Sequence, residues 1–419
     1  MKFCQRLLSV LLLSALVFSF SSGYAAADGH NWYEIFVRSY RDSDDDGIGD
    51  LRGVEYALPY LASLGIDGIW LMPIMPSPSY HKYDVTDYYA VDPEYGTLED
   101  LRSLLAAAHG LGIKVILDLP VNHSSSQHPW FLSALNDENS SYRSWYHFTS
   151  DFQDGYTGYE GIYYESRFSP DMPDLNLDNP EVREEITNIL RFWLEDVGVD
   201  GFRLDAVTSY YTARTNENVS FLSWLGRTAR SFSPGCYIVA EAWENLAVIA
   251  SYAGADIDSF FLFPASQQEG YIAKVLRPAE KSPGRKYTDY TLLIENTLPE
   301  QSVPAPFLEN HDTSRSVNFL GRKNFEKLKM AAGLLCMMRG NVFLYYGQEI
   351  GMSGSGDDPN KRIGMLWDSP ENAILPPPGT TKAEYVFNTA SREHCTIVWL
   401  LVPWAQDILY ALDSGKLKI

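Results

Sequence analysis

The chain has 419 residues, with 54 acidic against 33 basic side chains and a net charge of −21. Its pI is near 4.7. Binding to a polyanion needs clustered Lys and Arg, and the sequence holds no such cluster, so no nucleic-acid partner is expected. Aromatic residues make up 14% of the chain, a rich supply for contacting a neutral polymer.

Residues 1–27 read as an export signal. Lys2 and Arg6 accompany an apolar run over 7–20, and Ala25–Ala26–Ala27 offers small residues for cleavage. The apolar run is shorter than the roughly 20 residues of a membrane span. No stable membrane anchor is therefore expected, and the mature chain, from about Asp28, is placed outside the cytoplasm, secreted or periplasmic. Cys236, Cys336 and Cys395 remain after the signal. An odd number at wide spacing is neither a disulfide framework nor a metal site, so they read as buried thiols.

From Trp32 onward, apolar strands alternate with amphipathic helices. Strands are predicted over 32–38, 68–73, 114–120, 201–206, 237–242, 259–263, 305–310 and 342–346. Most are short continuous apolar runs, as parallel strands buried on both faces require. Helices are predicted over 98–111 and 181–196, the second opened by Asp178–Asn179–Pro180, a polar cap followed by a first-turn proline. Eight such repeats predict a (β/α)8 TIM barrel built from 28–121 and 178–368. An open doubly wound sheet is the alternative.

The loop after the first strand reads Asp42–Ser43–Asp44–Asp45–Asp46–Gly47–Ile48–Gly49–Asp50. Alternating oxygen donors on a glycine-bent loop suit a hard cation such as Ca2+. The closing glutamate of an EF-hand is missing, since its place is taken by Gly53. A solvated acidic loop is the simpler reading. The regular spacing breaks after the third strand, where 122–177 is far too long for an ordinary βα loop. It carries nine aromatics from Trp145 to Phe168 and is predicted to be an inserted subdomain that both packs a small core and contributes to a site.

Polar residues gather at the strand ends: Asp118 with Asn122 and His123, Arg203 with Asp205, Glu241, and His311 with Asp312. Period-two alternation puts Arg203 and Asp205 on one side. Glycoside hydrolysis needs this inventory, with one carboxylate at the anomeric carbon and one carboxylic acid at the leaving oxygen. Arg203 is expected to keep Asp205 ionised, and Asp312 to raise Glu241 by like-charge repulsion.

These stretches resemble the α-amylase family of retaining glucosidases and transglycosylases: DLPVNH (118–123), GFRLDA (201–206), VAEAW (239–243), FLENHD (307–312), MPDLN (172–176) and SYHKYDVTDYY (79–89). The resemblance spans about residues 31–368. It implies Asp205 as nucleophile, Glu241 as general acid/base and Asp312 as transition-state stabiliser. It also implies that Tyr83 stacks on the sugar, that His81, His123, Arg203 and His311 bind it or the nucleophile, and that Asp118 supports the site from below. Relatives carry a structural calcium in the first loop, which implies Asp42, Asp44, Asp46 and Asp50 as side-chain ligands and Ile48 through its carbonyl.

Two departures stand out. Where many amylases have lysine and histidine after the nucleophile, this chain has Thr208 and Ser209, so it lacks family residues that help form an interior calcium site near Asn122. The C-terminal β-sandwich of the family is truncated or absent, leaving 369–419 as a divergent tail with Pro376–Pro377–Pro378 and an apolar run over 396–404. The expected function is retaining hydrolysis of α-1,4-glucosidic bonds in starch, glycogen or maltodextrins by a monomer. The alternatives are a cyclomaltodextrinase-, neopullulanase- or α-glucosidase-type hydrolase or transglycosylase, and a non-catalytic glycan-binding relative.

Overall fold

The computed structural model describes residues 29–321, 324–367 and 374–381. The export signal and the apolar run 396–404 lie outside the described residues. In chain order the strands are β1 (Asn31–Ile35), β2 (Gly68–Leu71), β3 (Lys114–Leu119), β4 (Phe148–Thr149), β5 (Tyr156–Tyr159), β6 (Ile162–Glu165), β7 (Gly201–Leu204), β8 (Tyr237–Ala240), β9 (Ser259–Phe261), β10 (Val303–Ala305) and β11 (Val342–Tyr345). Eight of them form one parallel sheet in the order β10-β9-β8-β7-β3-β2-β1-β11. A parallel bridge between Phe307 and Phe343 brings its two edges together. Strands adjacent in this sequence are adjacent in space, which is the (β/α)8 barrel rather than an open doubly wound sheet.

Alternation sorts the strand residues into two cores. Trp32, Trp70, Ile116, Tyr237, Val239, Phe261, Phe263, Ala305, Phe307 and Phe343 fill the barrel interior. Their neighbours, such as Tyr33, Ile69, Leu117 and Phe202, face the helices. The plug is bulky because other positions are empty. A Cβ on Gly68 would lie 2.5 Å from the Trp32 ring. A Cβ on Gly201, which has φ +147°, would meet the Tyr237 carbonyl oxygen at 1.8 Å.

The helices are α1 (Leu51–Ser63), α2 (Leu98–Gly110), α3 (Pro129–Asn136), α4 (Pro180–Arg191), α5 (Thr215–Phe232), α6 (Leu246–Tyr252), α7 (Tyr271–Val275), α8 (Pro283–Thr297), α9 (Ser316–Leu320), α10 (Phe325–Cys336) and α11 (Asp358–Lys361). Thr97 and Asp100 close a reciprocal capping box on α2. Asn179 caps α4 with Pro180 in its first turn. The predicted helix over 181–196 differs at its end, where Phe192–Val197 widens into a π turn stopped by Gly198 at φ +92°. The buried Trp193 in that turn donates its indole N–H to the Tyr88 carbonyl at 2.9 Å.

The strands stop earlier than predicted, most clearly in the seventh, where the regular strand ends at Ala305. Pro306 has no N–H to donate, although its carbonyl still accepts the Phe343 N–H at 2.9 Å, and beyond the Phe307 bridge the Asn310 N–H turns to the Thr313 hydroxyl at 2.9 Å. Between β3 and α4 the chain folds α3 and an antiparallel sheet in the order β4-β6-β5. Trp145, Tyr146 and Tyr164 are buried in this insertion, whereas Phe168 is 50% exposed. Cys236 is a buried free thiol, but Cys336 is only partly buried. Beyond the barrel, Leu375 donates its N–H to the Gly47 carbonyl at 2.8 Å, so residues 374–381 pass across the aspartate-rich loop.

Candidate active site

Register explains how the charged residues meet. Asp118 on β3 and Arg203 on β7 are direct neighbours across the sheet, and both point inward, so their side chains form a cross-strand pair. Arg203 is fully buried. Its Nη1 donates to Asp118 at 3.0 Å and to Asp205 at 2.6 Å, and its Nη2 donates to Glu241 at 2.8 Å. One guanidinium thus joins three carboxyl groups, which only a planar fork of donors can do. Tyr83 adds its hydroxyl to Asp118 at 2.9 Å.

Ala206, between the β7 end and the following loop, has φ +48°. Such a conformation in a non-glycine residue costs of order 1–3 kcal/mol and is found where function demands it. Here it turns the Ala206 N–H onto Glu241 Oε2 at 3.0 Å. Glu241 therefore takes two donors on one oxygen.

On the opposite side His311 sits between two acids. Its Nδ1 lies 2.5 Å from Glu34 on β1, and its Nε2 lies 3.0 Å from Asp312. Burial opposes its charge, but Asp312 and Glu34 overcome that and raise the imidazole to about 9, so it is a cation at neutral pH. Asp312 is pushed up by burial, yet His311 and Arg362 outweigh this and hold it well below the usual carboxylate range. Tyr83 lies parallel to the His311 ring at 5.7 Å.

Burial dominates the other carboxyls. It raises Glu241 to about 7 against the pull of Arg203, with Asp205 and then Asp312 adding to the rise. Like-charge repulsion from Asp312 acts in the expected direction but ranks behind burial and Asp205. Burial also raises Asp205 despite Arg203, while a hydrogen bond from Glu241 lowers it. Asp118 is raised to about 6 by burial against Arg203 and His311.

These groups floor a cleft of about 380 Å³ lined by His81, Tyr83, His123, Asp205, Glu241 and Asp312. Its rim carries Phe168 and Trp243, and Trp243 is braced by Phe263 at 4.8 Å. Burial lowers His81 and His123 to about 4, so both are neutral at pH 7. His81 Nδ1 accepts the Tyr83 N–H at 3.2 Å, which leaves Nε2–H for a ligand. His123 Nε2 has no partner and is buried at the cleft wall. The stretch 172–176 holds His123 in place, since Leu175 N–H donates to the Asn122 carbonyl at 2.9 Å. Asn122 in turn donates to Asp174 at 3.0 Å.

All eight candidate catalytic and sugar-binding residues therefore converge on one cleft or its floor. Two others were not singled out from sequence. Glu34 could have been found as an acid inside a strand that is otherwise apolar or aromatic. Arg362, in the loop after β11, carried no signal at all.

The aspartate-rich loop lies elsewhere. Carboxylate oxygens of Asp42, Asp44 and Asp50 lie within 4.8 Å of one another. The loop is shaped by its own backbone: Asp42 accepts the N–H groups of Asp44, Asp45 and Gly47 at 3.0, 2.8 and 2.7 Å. Asp46 Oδ1 accepts the Ile48 N–H at 2.7 Å, and Asp46 is outside the convergent group of three. The three convergent oxygens are hard, anionic donors of the kind that hold Ca2+.

The family profile described as "Alpha amylase, catalytic domain" matches residues 34–389. Alpha-amylase 3 of Dictyoglomus thermophilum is 39% identical over 381 residues, covering 87% of this chain and 73% of that protein. A 4-alpha-glucanotransferase of Thermotoga neapolitana is 34% identical over 347 residues, covering 79% and 74%. Among solved structures, Eubacterium rectale Amy13B superposes with a TM-score of 0.84 at 39% identity, covering 92% of this chain and 79% of that one.

Proposed function

Because the chain belongs to the α-amylase family of retaining glycoside hydrolases and transferases, we propose that it hydrolyses α-1,4-glucosidic bonds of starch, glycogen or maltodextrins. The observation that carries the reading is a single buried arginine holding Asp205 and Glu241 together under the cleft, with Asp312 on the other side. Asp205 attacks the anomeric carbon while Glu241 gives its proton to the leaving oxygen. Water, deprotonated by Glu241, then releases the sugar from Asp205. Asp312, ionised between two cations, stabilises the positive charge that develops on the sugar ring. His81 and His123 offer neutral ring nitrogens to sugar hydroxyls, and the Tyr83 ring forms the platform beneath the sugar. Arg203, with His311 and Asp118, holds the carboxyls in place. The α-glucan is thus the partner, and the enzyme acts as a monomer outside the cytoplasm.

A product profile tests this directly. Purified protein on starch should release maltodextrins whose new reducing ends appear first as the α-anomer, followed by polarimetry or NMR. Initial β-anomer would contradict two displacements at one carbon. Relatives named glucanotransferase give weight to a second reading, transfer to a sugar acceptor. It predicts maltotetraose and longer oligosaccharides from maltotriose, formed together with the glucose or maltose that leaves the donor, whereas hydrolysis gives glucose and maltose with no longer product.

The aspartate-rich loop is read as a structural Ca2+ site using Asp42, Asp44 and Asp50, outside the reacting groups. Binding to the folded state alone stabilises by about 2.7 kcal/mol at a hundredfold excess over Kd, a rise of roughly 3 °C in Tm at this size. Chelation in a metal-stripped sample should lower the melt by that order, and Asp44→Asn should shrink the difference. An unchanged melt would count against the site.

A further inference from the structure

We propose that Arg362 is a positioning residue that sets the orientation of Asp312 against the reacting sugar; the inference rests on the reading of Asp312 given above. Its Nη2 donates to Asp312 Oδ1 at 2.8 Å, and its Nε donates to the His311 carbonyl at 3.1 Å. One side chain thus grips both the carboxylate and the backbone that carries it. The neighbouring Lys361 ammonium donates to the Asp312 carbonyl at 2.7 Å, closing the same turn from the other side.

The remaining Asp312 oxygen is taken by His311, which Glu34 anchors. Asp312 is therefore held by cations on both oxygens, one fixed from β1 and the other from the loop after β11. Without Arg362 the carboxylate keeps a single partner and can rotate about its Cβ–Cγ bond. Arg362 is 3% exposed and has its own fixed surroundings. Asp358 lies 3.4 Å from Nη2, and the Tyr80 hydroxyl accepts from Nη1 at 3.5 Å. A rigid fork reaches two acceptors in different directions, whereas a lysine reaches one. Misplacing a group that acts in the transition state shows in kcat rather than in substrate affinity.

The test compares wild type, Arg362→Ala and Arg362→Lys on maltoheptaose, with thermal melts to confirm folding. Arg362→Ala should lose kcat on the order of 10²-fold, as for removal of one preorganised donor, with KM within about threefold. Arg362→Lys should recover only part. Added guanidinium, but not sodium at equal ionic strength, should raise the activity of Arg362→Ala by entering the space left behind. A kcat within about threefold of wild type, a loss falling wholly on KM, or equal loss in both variants without guanidinium response would each overturn the inference. Wild-type protein that leaves maltoheptaose and starch intact would instead defeat the reading of the whole site.

Discussion

Asp205→Asn and Glu241→Gln should each lower kcat on starch by at least about 10⁴-fold, which corresponds to roughly 5 kcal/mol of lost transition-state stabilisation. The two losses differ in kind. Asparagine at 205 cannot form the glycosyl ester, so no substrate rescues it. Glutamine at 241 cannot protonate a leaving alcohol, but fluoride departs without a proton. On α-glucosyl fluoride, Glu241→Gln should therefore keep formation of the glycosyl-enzyme near wild-type rate, while Asp205→Asn remains inactive. Burial raises Glu241 to about 7, so its acid form is lost as pH rises through about 7 and activity on starch falls there. That basic limb should be missing from the residual profile of the glutamine variant. Substantial starch hydrolysis by either variant would remove the assignment.

Arg203→Met is the second large effect, and it strikes stability as well as rate. Asp118, Asp205 and Glu241 share this one guanidinium, and Asp118 has 0% exposure. Removing one partner of a buried charge group typically costs about 3–5 kcal/mol, because the opposite charges stay desolvated. Urea unfolding at pH 7 should show a loss of that order, with activity below detection. The sign of the pH dependence follows from burial, which already raises Asp118 to about 6. A carboxyl whose folded pKa lies above its unfolded value stabilises below the unfolded value and loses that contribution as pH rises through the folded value. Without Arg203 the three rise further, so the deficit should shrink towards pH 4 and widen towards pH 7. A variant as stable as wild type at pH 7 would show that Arg203 is not the common partner of these acids.

Much of this protein was legible before any coordinates. The eight strands, the helix cap at Asn179 and the place of the insertion all follow from local chemistry, because burial on both faces, capping and proline each leave a short-range mark. The site residues were legible for the same reason: a charge at the end of an apolar strand is costly unless it is used. Strand ends were less so, since the regular strand stops at Ala305 and the chain turns at Asn310, beyond the Phe307 bridge, while the apolar run continues.

What only the tertiary structure decided is who shares what with whom. Sequence places Arg203 two residues before Asp205, but register makes it the cross-strand neighbour of Asp118 and the common partner of Glu241 as well. Sequence points to repulsion from Asp312 as one cause of the Glu241 shift, and it does add to the rise; the largest cause is burial, a property of the closed barrel and its insertion. Glu34 and Arg362 come from the first strand and from the loop after the last. They meet at His311 and Asp312 because ring closure sets β1 beside β11. Contacts such as Glu34–His311, 277 positions apart, and Arg362–Asp312, 50 apart, leave no periodic or spacing signal in one sequence, and so the inventory of the chemistry was readable in advance while its arrangement was not.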